Sequence, residues 1–354
     1  MDVRLSAEQK ALRDAAAQVV GDLAPKTVAD LDDGERRSKL DAAVDATGWR
    51  ELRAAADLAS GDAPLASGVE VGIVAEELGR TVADVAFLGP TLAAELRRLA
   101  GAPAADTPET VAFRPDLSEL ATASTASGGA FLDGPTLAFD AAGAITALLL
   151  VPTDDGSHAL ASVPLPGAVH DSAVVDLTRT SLPLPADTAV TPVDGATPLS
   201  HEDLTRWTAL GLAAASADLV GTMAGATELA RAYAVERHQY GVAVGSFQAV
   251  QHLLADAFVA TGGSRSAALH AAWAVDALPA DEALFAGAVA KAFATRAART
   301  ACETAIQVHG GIGNTWECLA HVHLRRALLT GDLLGGTGPN LARVLAHHGI
   351  EAGA

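Results

Sequence analysis

The stretch QVHGGIGNTWE, residues 307–317, ends a long alanine-rich helical pattern with two glycines and adds a third two residues later. Stopping a helix takes one residue able to adopt a left-handed conformation. Extra glycines expose backbone N–H groups and let another molecule approach the main chain closely. GGIG is not a dinucleotide-binding fingerprint, because it follows a helix instead of opening one after a strand. Taken alone, Gly310-Gly311 is an ordinary helix C-cap and Gln307 a surface residue, so the surrounding chain must decide.

Outward from this stretch the chain reads as three blocks: an all-helical block 1–108, a middle β block 109–198 and a helical block 199–354. In the first, MDVRLSAEQKALRDAA reads as an amphipathic helix, Thr47-Gly48-Trp49 ends another, ASGDAPLASG reads as a loop, and Ile73, Leu78 and Val82 share helical spacing. In the second, short apolar runs alternate with turns at Asp133-Gly134-Pro135 and Asp154-Asp155-Gly156, which predicts a small antiparallel sandwich or barrel. The third predicts four long antiparallel helices in a bundle. One runs through RHQYG, the next starts at Ser246 as N-cap, another opens at Pro279 with Asp281 and Glu282 on its first turn, and the last covers Asn340 to His347. The fold class is α+β, mainly α.

Composition narrows the function. Half of the 354 residues are apolar and only 4% aromatic, so alanine-packed helices dominate. A formal net charge of −19 argues against nonspecific nucleic-acid binding, which needs a basic face. The two cysteines, Cys302 and Cys318, show no metal-ligand spacing and read as small buried hydrophobes. His321 and His323, two apart on a helix, point in different directions, and His347 and His348 neighbour the last turn, so no metal site is expected. The alanine-rich runs read as buried helices, not membrane spans, and a cytosolic location is expected.

RHQYGVAVGSFQAVQHLLAD, residues 237–256, resembles the R-x-x-[FY]-G…Q segment of the acyl-CoA dehydrogenase family. QVHGGIGNTWE resembles that family's Q-x-x-G-G segment, and LRRALLTGDLLGGTG the region of its C-terminal active-site loop. EELGR, Gly48-Trp49 and VVDLTRTSLPL (174–184) look like its N-terminal helices and the last part of its β domain. In such enzymes FAD lies across a subunit interface: one subunit's β domain holds the flavin ring, and the neighbour's bundle holds the adenosine diphosphate end. The resemblance implies that Arg237 pairs with the pyrophosphate, with Tyr240 and Gln248 beside it, that Gln307 hydrogen-bonds the cofactor, and that Gly310 and Gly311 let it approach. Guanidinium suits phosphate bidentately. Read without the resemblance, Arg237 is a solvated helix-end cation.

The chain departs from the family at its catalytic positions. Desaturating an acyl thioester needs a carboxylate to remove the proton beside the carbonyl, in a water-poor slot, while the flavin accepts a hydride from the next carbon. In most of the family this base is a glutamate just before Gly-Thr; Gly335 occupies that position here. Some relatives carry the base on the first long helix of the bundle, at a position that falls on Gly211 or its neighbours when counted from the shared Gly221. The stretch 208–216 holds no carboxylate, and the nearest, Asp218, lies about two helical turns (3.6 residues each) from Gly211. Asp332 is the reserve candidate for a displaced base. Between Thr110 and Leu150 the family's T-E-P-x-x-G-S-D-like loop and K-x-[FWY]-[IV]-[TS]-N-like strand are missing, with ATASTASGGAFLDG in their place.

A chain that keeps the half-site serving a neighbour's cofactor and lacks the half serving its own resembles the degenerate subunit of a heteromeric α2β2 acyl-CoA dehydrogenase, of the kind found in actinobacterial steroid degradation. That implies a catalytically competent partner subunit, shared FAD, and an acyl-CoA substrate with a steroid side chain or other bulky group. Two readings compete: a self-sufficient homodimer with a relocated base such as Asp332, and a non-enzymatic scaffold binding a CoA ester or protein. Trp316-Glu317 reads either as lining the active-site mouth or as a packed helix start.

Overall fold

Ser6 opens helix α1 (Ala7–Leu23) with a capping box: its hydroxyl accepts from the Gln9 N–H at 3.2 Å, and the Gln9 side chain accepts from the Ser6 N–H at 3.0 Å. Asp33 caps α2 (Gly34–Thr47), which stops at Gly48 with φ 69°, the left-handed stop that Thr-Gly-Trp predicts. The computed structural model describes residues 4–57, 61–126, 129–167 and 175–350. The first three residues of the predicted N-terminal helix and Val174 at the start of VVDLTRTSLPL lie outside them. Within the expected loop 59–68, of which Ala59 and Ser60 lie outside the described residues, β2 (Gly61–Pro64) pairs antiparallel with β1 (Ala55–Asp57) just before it. Strands this short leave no alternation to read. Helices α3 (Gly68–Arg80) and α4 (Leu88–Leu99) follow. Ile73 and Leu78 are buried on α3, whereas Val82, also buried, lies past its end with φ 46°.

The β strands come next in the chain: β3 (Glu109–Phe113), β4 (Ala123–Ala126), β5 (Gly129–Leu132), β6 (Thr136–Phe139), β7 (Thr146–Pro152), β8 (His158–Pro164), β9 (Leu182–Leu184) and β10 (Ala189–Pro192). They form one sheet in the order β4-β5-β10-β8-β7-β3-β6-β9. The two predicted turns join β5 to β6 and β7 to β8. Every pairing is antiparallel except β3 with β7, which run parallel with Thr110 opposite Ala147. Asp140, just after β6, accepts from the N–H groups of Phe87 (2.9 Å) and Gly89 (3.2 Å) and so ties the sheet to the start of α4.

Ser200 caps α5 (His201–Glu236), which is followed by α6 (Gln248–Ala277), α7 (Ala280–His309), α8 (Ala320–Asp332) and α9 (Thr337–His347). The expected continuous helix through RHQYG breaks at Arg237. There β11 (His238–Gln239) and β12 (Val242–Ala243) form a hairpin. Its two turn residues, Tyr240 and Gly241, have φ 53° and 83°, the primed turn that a tight hairpin needs. Ser246 is not the cap of α6. Its hydroxyl donates to the Ala243 carbonyl at 2.7 Å, inside a 3-10 turn over Val244–Ser246, and Phe247 precedes the helix instead.

Of the four long antiparallel helices expected, three are long. Their directions alternate along the chain, so α5 and α7, the first and third, run in the same direction. A Cβ on Gly287, near the start of α7, would meet Leu212, near the start of α5, while Tyr233 stacks on His309 at their far ends. The 30 residues of α6 return the chain along the bundle and permit this. Backbone touches backbone where α3 crosses α5, because a Cβ on Gly221 would overlap the Glu76 carbonyl oxygen. By length and composition α5 could cross a membrane, but 89% of its most apolar window is buried within the protein, as a core helix is.

Candidate functional site

The parallel run of α5 and α7 brings two sequence-distant motifs to one end of the bundle. The Tyr233 and His309 rings stack with centroids 4.5 Å apart, one turn before Arg237 and next to Gly310. The N-terminus of α6 opens at the same end, since the β11–β12 hairpin joins it directly to α5. Arg237, Tyr240, Gln248, Gln307, Gly310 and Gly311 are all exposed. The backbone of Arg237 is fixed: its N–H donates to Tyr233 O (2.8 Å) and its carbonyl accepts from Val244 N–H (2.7 Å). Its guanidinium has no hydrogen bond or ion pair among the described residues. Tyr240 is 94% exposed at the hairpin tip, edge-on to Phe247 at 6.4 Å. Gly310 has φ 67° and ψ −142°, a conformation for glycine alone, and open space surrounds the Cβ positions of Gly310 and Gly311.

These features fit the adenosine diphosphate end of FAD. They combine an unpaired guanidinium on a fixed backbone, a helix N-terminus with its positive dipole end, and an open glycine pair. Sequence reasoning missed the groups beneath. His309 Nδ1 donates to Ala305 O (2.7 Å) and the ring also bonds Cys318. Burial alone would lower the His309 pKa, but these bonds raise it above its ordinary value. Against the opposing effect of burial, the His309 bond lowers the Cys318 thiol. A Cys eleven positions after the Gln of Q-x-x-G-G carries no periodic signal, so only the fold shows the pair.

The second surface is the turn between α8 and α9. Gly335 is buried with φ 87°, and a Cβ there would sit 3.0 Å from Pro339 Cβ. Its carbonyl accepts from Asn340 Nδ2 (2.7 Å) and Lys291 Nζ (3.1 Å), and Lys291 also donates to Gly331 O (2.6 Å). Burial pushes the Lys291 amine down to about 7 although Asp332 pulls the other way. Within 208–216, Gly211 is the position that meets this turn: the Leu334 side chain lies against it, with Leu92 of α4 at 3.5 Å from its Cβ position. Gly335, which follows Leu334 in sequence, and Gly211, against which it packs, both adjoin this one leucine. Asp332, the reserve base, is exposed.

Asp218, the nearest carboxylate to Gly211, is committed elsewhere. It is 1% exposed and accepts from Arg179 Nη2 (2.8 Å), Arg326 Nη2 (2.6 Å) and Thr330 Oγ1 (3.1 Å). This hub ties the segment between β8 and β9 to α5 and α8. Burial would raise the Asp218 pKa, but the two guanidinium groups hold it below the usual carboxylate range. ATASTASGGAFLDG forms the β4–β5 hairpin, with Ser127 and Gly128 outside the described residues. Trp316 is exposed and sits edge-on to His321 at 5.3 Å. His323 is buried, with Nδ1 donating to Thr222 O (3.1 Å), and burial pushes its pKa down to about 4. Among the described residues no three His, Cys, Asp or Glu side chains are grouped to hold a metal ion.

Residues 208–348 match the family model "Acyl-CoA dehydrogenase, C-terminal domain". Over 131 residues the chain is 41% identical to acyl-CoA dehydrogenase FadE34 of Mycobacterium tuberculosis, covering 37% of this chain and only 18% of that protein's length. Two solved structures share the fold. The Tcur3481-Tcur3483 steroid ACAD G363A variant has TM-score 0.79 and 23% identity, covering 97% of this chain and 98% of that one. The ChsE4-ChsE5 complex from Mycobacterium tuberculosis has TM-score 0.78 and 24% identity, covering 100% of both. Residues 208–348 are thus similar in sequence to the C-terminal domain of acyl-CoA dehydrogenases, and nearly the whole chain shares the fold of these two solved structures.

Proposed function

We propose that this chain is the non-catalytic subunit of a heteromeric, flavin-dependent acyl-CoA dehydrogenase, working beside a catalytically competent partner in the cytosol. The reading is carried by the absence of a carboxylate at both places where the resemblance puts the base: Gly335, and Gly211 or its neighbours within 208–216. An unpaired Arg237 at the exposed bundle end supports it. Bound in the partner's ring site, the flavin supplies the hydride acceptor for desaturation. This chain's part is binding: Arg237 pairs with the pyrophosphate, Tyr240 and Gln248 flank it, Gln307 hydrogen-bonds the cofactor, and Gly310-Gly311 admits it to the backbone. The partner supplies the base. The chain divides accordingly into a helical domain (1–108), a β domain without flavin-ring contacts (109–198) and a bundle that carries the half-site and the dimer contact (199–354).

Solved structures with this fold include a steroid ACAD and a complex of two differently named chains. The complex supports a mixed assembly with a partner subunit, for which we propose α2β2, and the steroid ACAD supports a bulky, steroid-like acyl-CoA. Asp332 as a relocated base gains no support, because its carboxylate is exposed and a proton-abstracting base works in a water-poor slot. The test is expression alone and together with a competent subunit, followed by the visible spectrum of the purified protein. Flavin absorbance is expected only from the coexpressed pair. A yellow, active homodimer of this chain alone would refute the assignment.

A further inference from the structure

We infer that Leu334 is a plug: it fills this chain's own acyl slot and excludes an acyl group whether or not a base is present. The inference rests on the reading of the chain as a family subunit whose base positions are Gly335 and Gly211. Leu334 adjoins the first in sequence and covers the second in space. Its side chain is 2% exposed and lies so close to Gly211 that a Cβ there would come under 3.0 Å from it, with Leu92 of α4 behind. The place where a carboxylate would face the reacting carbon is filled with hydrocarbon.

The backbone shows that this residue is held in place. Leu334 has φ 57°, a conformation that a bulky side chain rarely adopts. Three regions hold it there. Its N–H donates to Leu117 O (2.8 Å) in the loop after β3, its carbonyl accepts from Arg343 Nη1 of α9 (2.6 Å), and the next carbonyl is gripped by Lys291 and Asn340. Restoring the missing glutamate would not reopen the slot. A Gly335→Glu side chain would leave a φ 87° backbone directly against Pro339, with Arg343 beyond, and Leu334 would remain in place.

The experiment counts S-octyl-CoA, a thioether that cannot be desaturated, bound at saturation per copy of this chain, by calorimetry on the coexpressed complex. Wild type and Leu334→Gly are compared, with Leu334→Ala as a second opened variant and Leu334→Met as a volume-conserving control. Glycine suits the left-handed backbone, which offsets part of the packing loss and favours a folded variant. The expected result is one additional probe per chain in Leu334→Gly and Leu334→Ala, and none in Leu334→Met. No additional probe in the two opened variants, with both folded by circular dichroism, overturns the plug. The parent reading fails separately, if the wild-type chain purified alone carries flavin and turns over substrate.

Discussion

The rings of Tyr233 and His309 stack at 4.5 Å with planes 29° apart, and this contact joins the last turn of α5 to the last turn of α7. Arg237 emerges four residues after one ring, and Gly310 directly after the other. The proposed nucleotide half-site depends on two helices finishing together, as the first and third helices of a bundle with alternating directions do.

Arg237→Ala is expected to strip flavin from the coexpressed complex and leave the chain's own stability within about 0.5 kcal/mol of wild type. Its side chain is exposed and makes no bond among the described residues, so its removal costs this chain's own fold little. Arg237→Lys keeps the charge without the bidentate fork and should retain part of the flavin. The ratio of visible to ultraviolet absorbance reads the outcome. Full flavin content in Arg237→Ala would remove this residue from the site.

Asp218→Asn is expected to cost about 3–5 kcal/mol, because it leaves Arg179 and Arg326 buried without their shared counter-charge. Urea unfolding at neutral pH measures it. The folded Asp218 pKa lies below its unfolded value of about 3.9, so its contribution is complete above that value and is lost only as pH falls through the lower, folded pKa. The gap between wild type and variant should therefore stay constant from about pH 5 to pH 8 as far as this group is concerned.

Much of the fold was legible because helix signals are local. The Gly48 stop and the acidic first turn of α7 each lie within a few residues of the boundary they set. Signals failed where pairing is remote or unusual. Tyr240-Gly241 is not an Asn-Gly or Asp-Gly pair, so the turn that ends α5 read as more helix. The parallel pairing of β3 with β7 brings Glu109 opposite Thr146 across three intervening strands, which no turn pattern reveals. At the site, the empty base positions could be read from the sequence, residue by residue. What fills the space could not, since Leu334 meets Gly211 only through the fold.

Lys291→Met isolates the energetics of a buried amine. Burial lowers the folded pKa to about 7, against about 10.4 in the unfolded chain, so between these values the unfolded state binds more protons. Stability of the wild type should therefore rise with pH across that window, by up to about 1.4 kcal/mol per pH unit from this group. The methionine variant lacks this slope. Unfolding free energies of both proteins at pH 6, 7.5 and 9 test it. Parallel pH profiles would show that Lys291 stays charged beneath the Gly331 and Gly335 carbonyls.

Gly211→Ala provides a test of packing whose sign depends on Leu334. In a helix interior alanine is favoured over glycine by about 1 kcal/mol. Here the new methyl would push into the Leu334 side chain, which is buried with Leu92 behind it and can yield only by repacking. Overpacking of this kind costs about 1–3 kcal/mol, so in wild type the substitution is expected to be neutral to destabilising. In a Leu334→Ala background the obstacle is gone, and the same substitution should stabilise by about 1 kcal/mol. Denaturant unfolding of the four proteins gives the coupling directly. If Gly211→Ala has the same effect in both backgrounds, the two residues do not press on each other, and the helix position is not what holds the leucine in place.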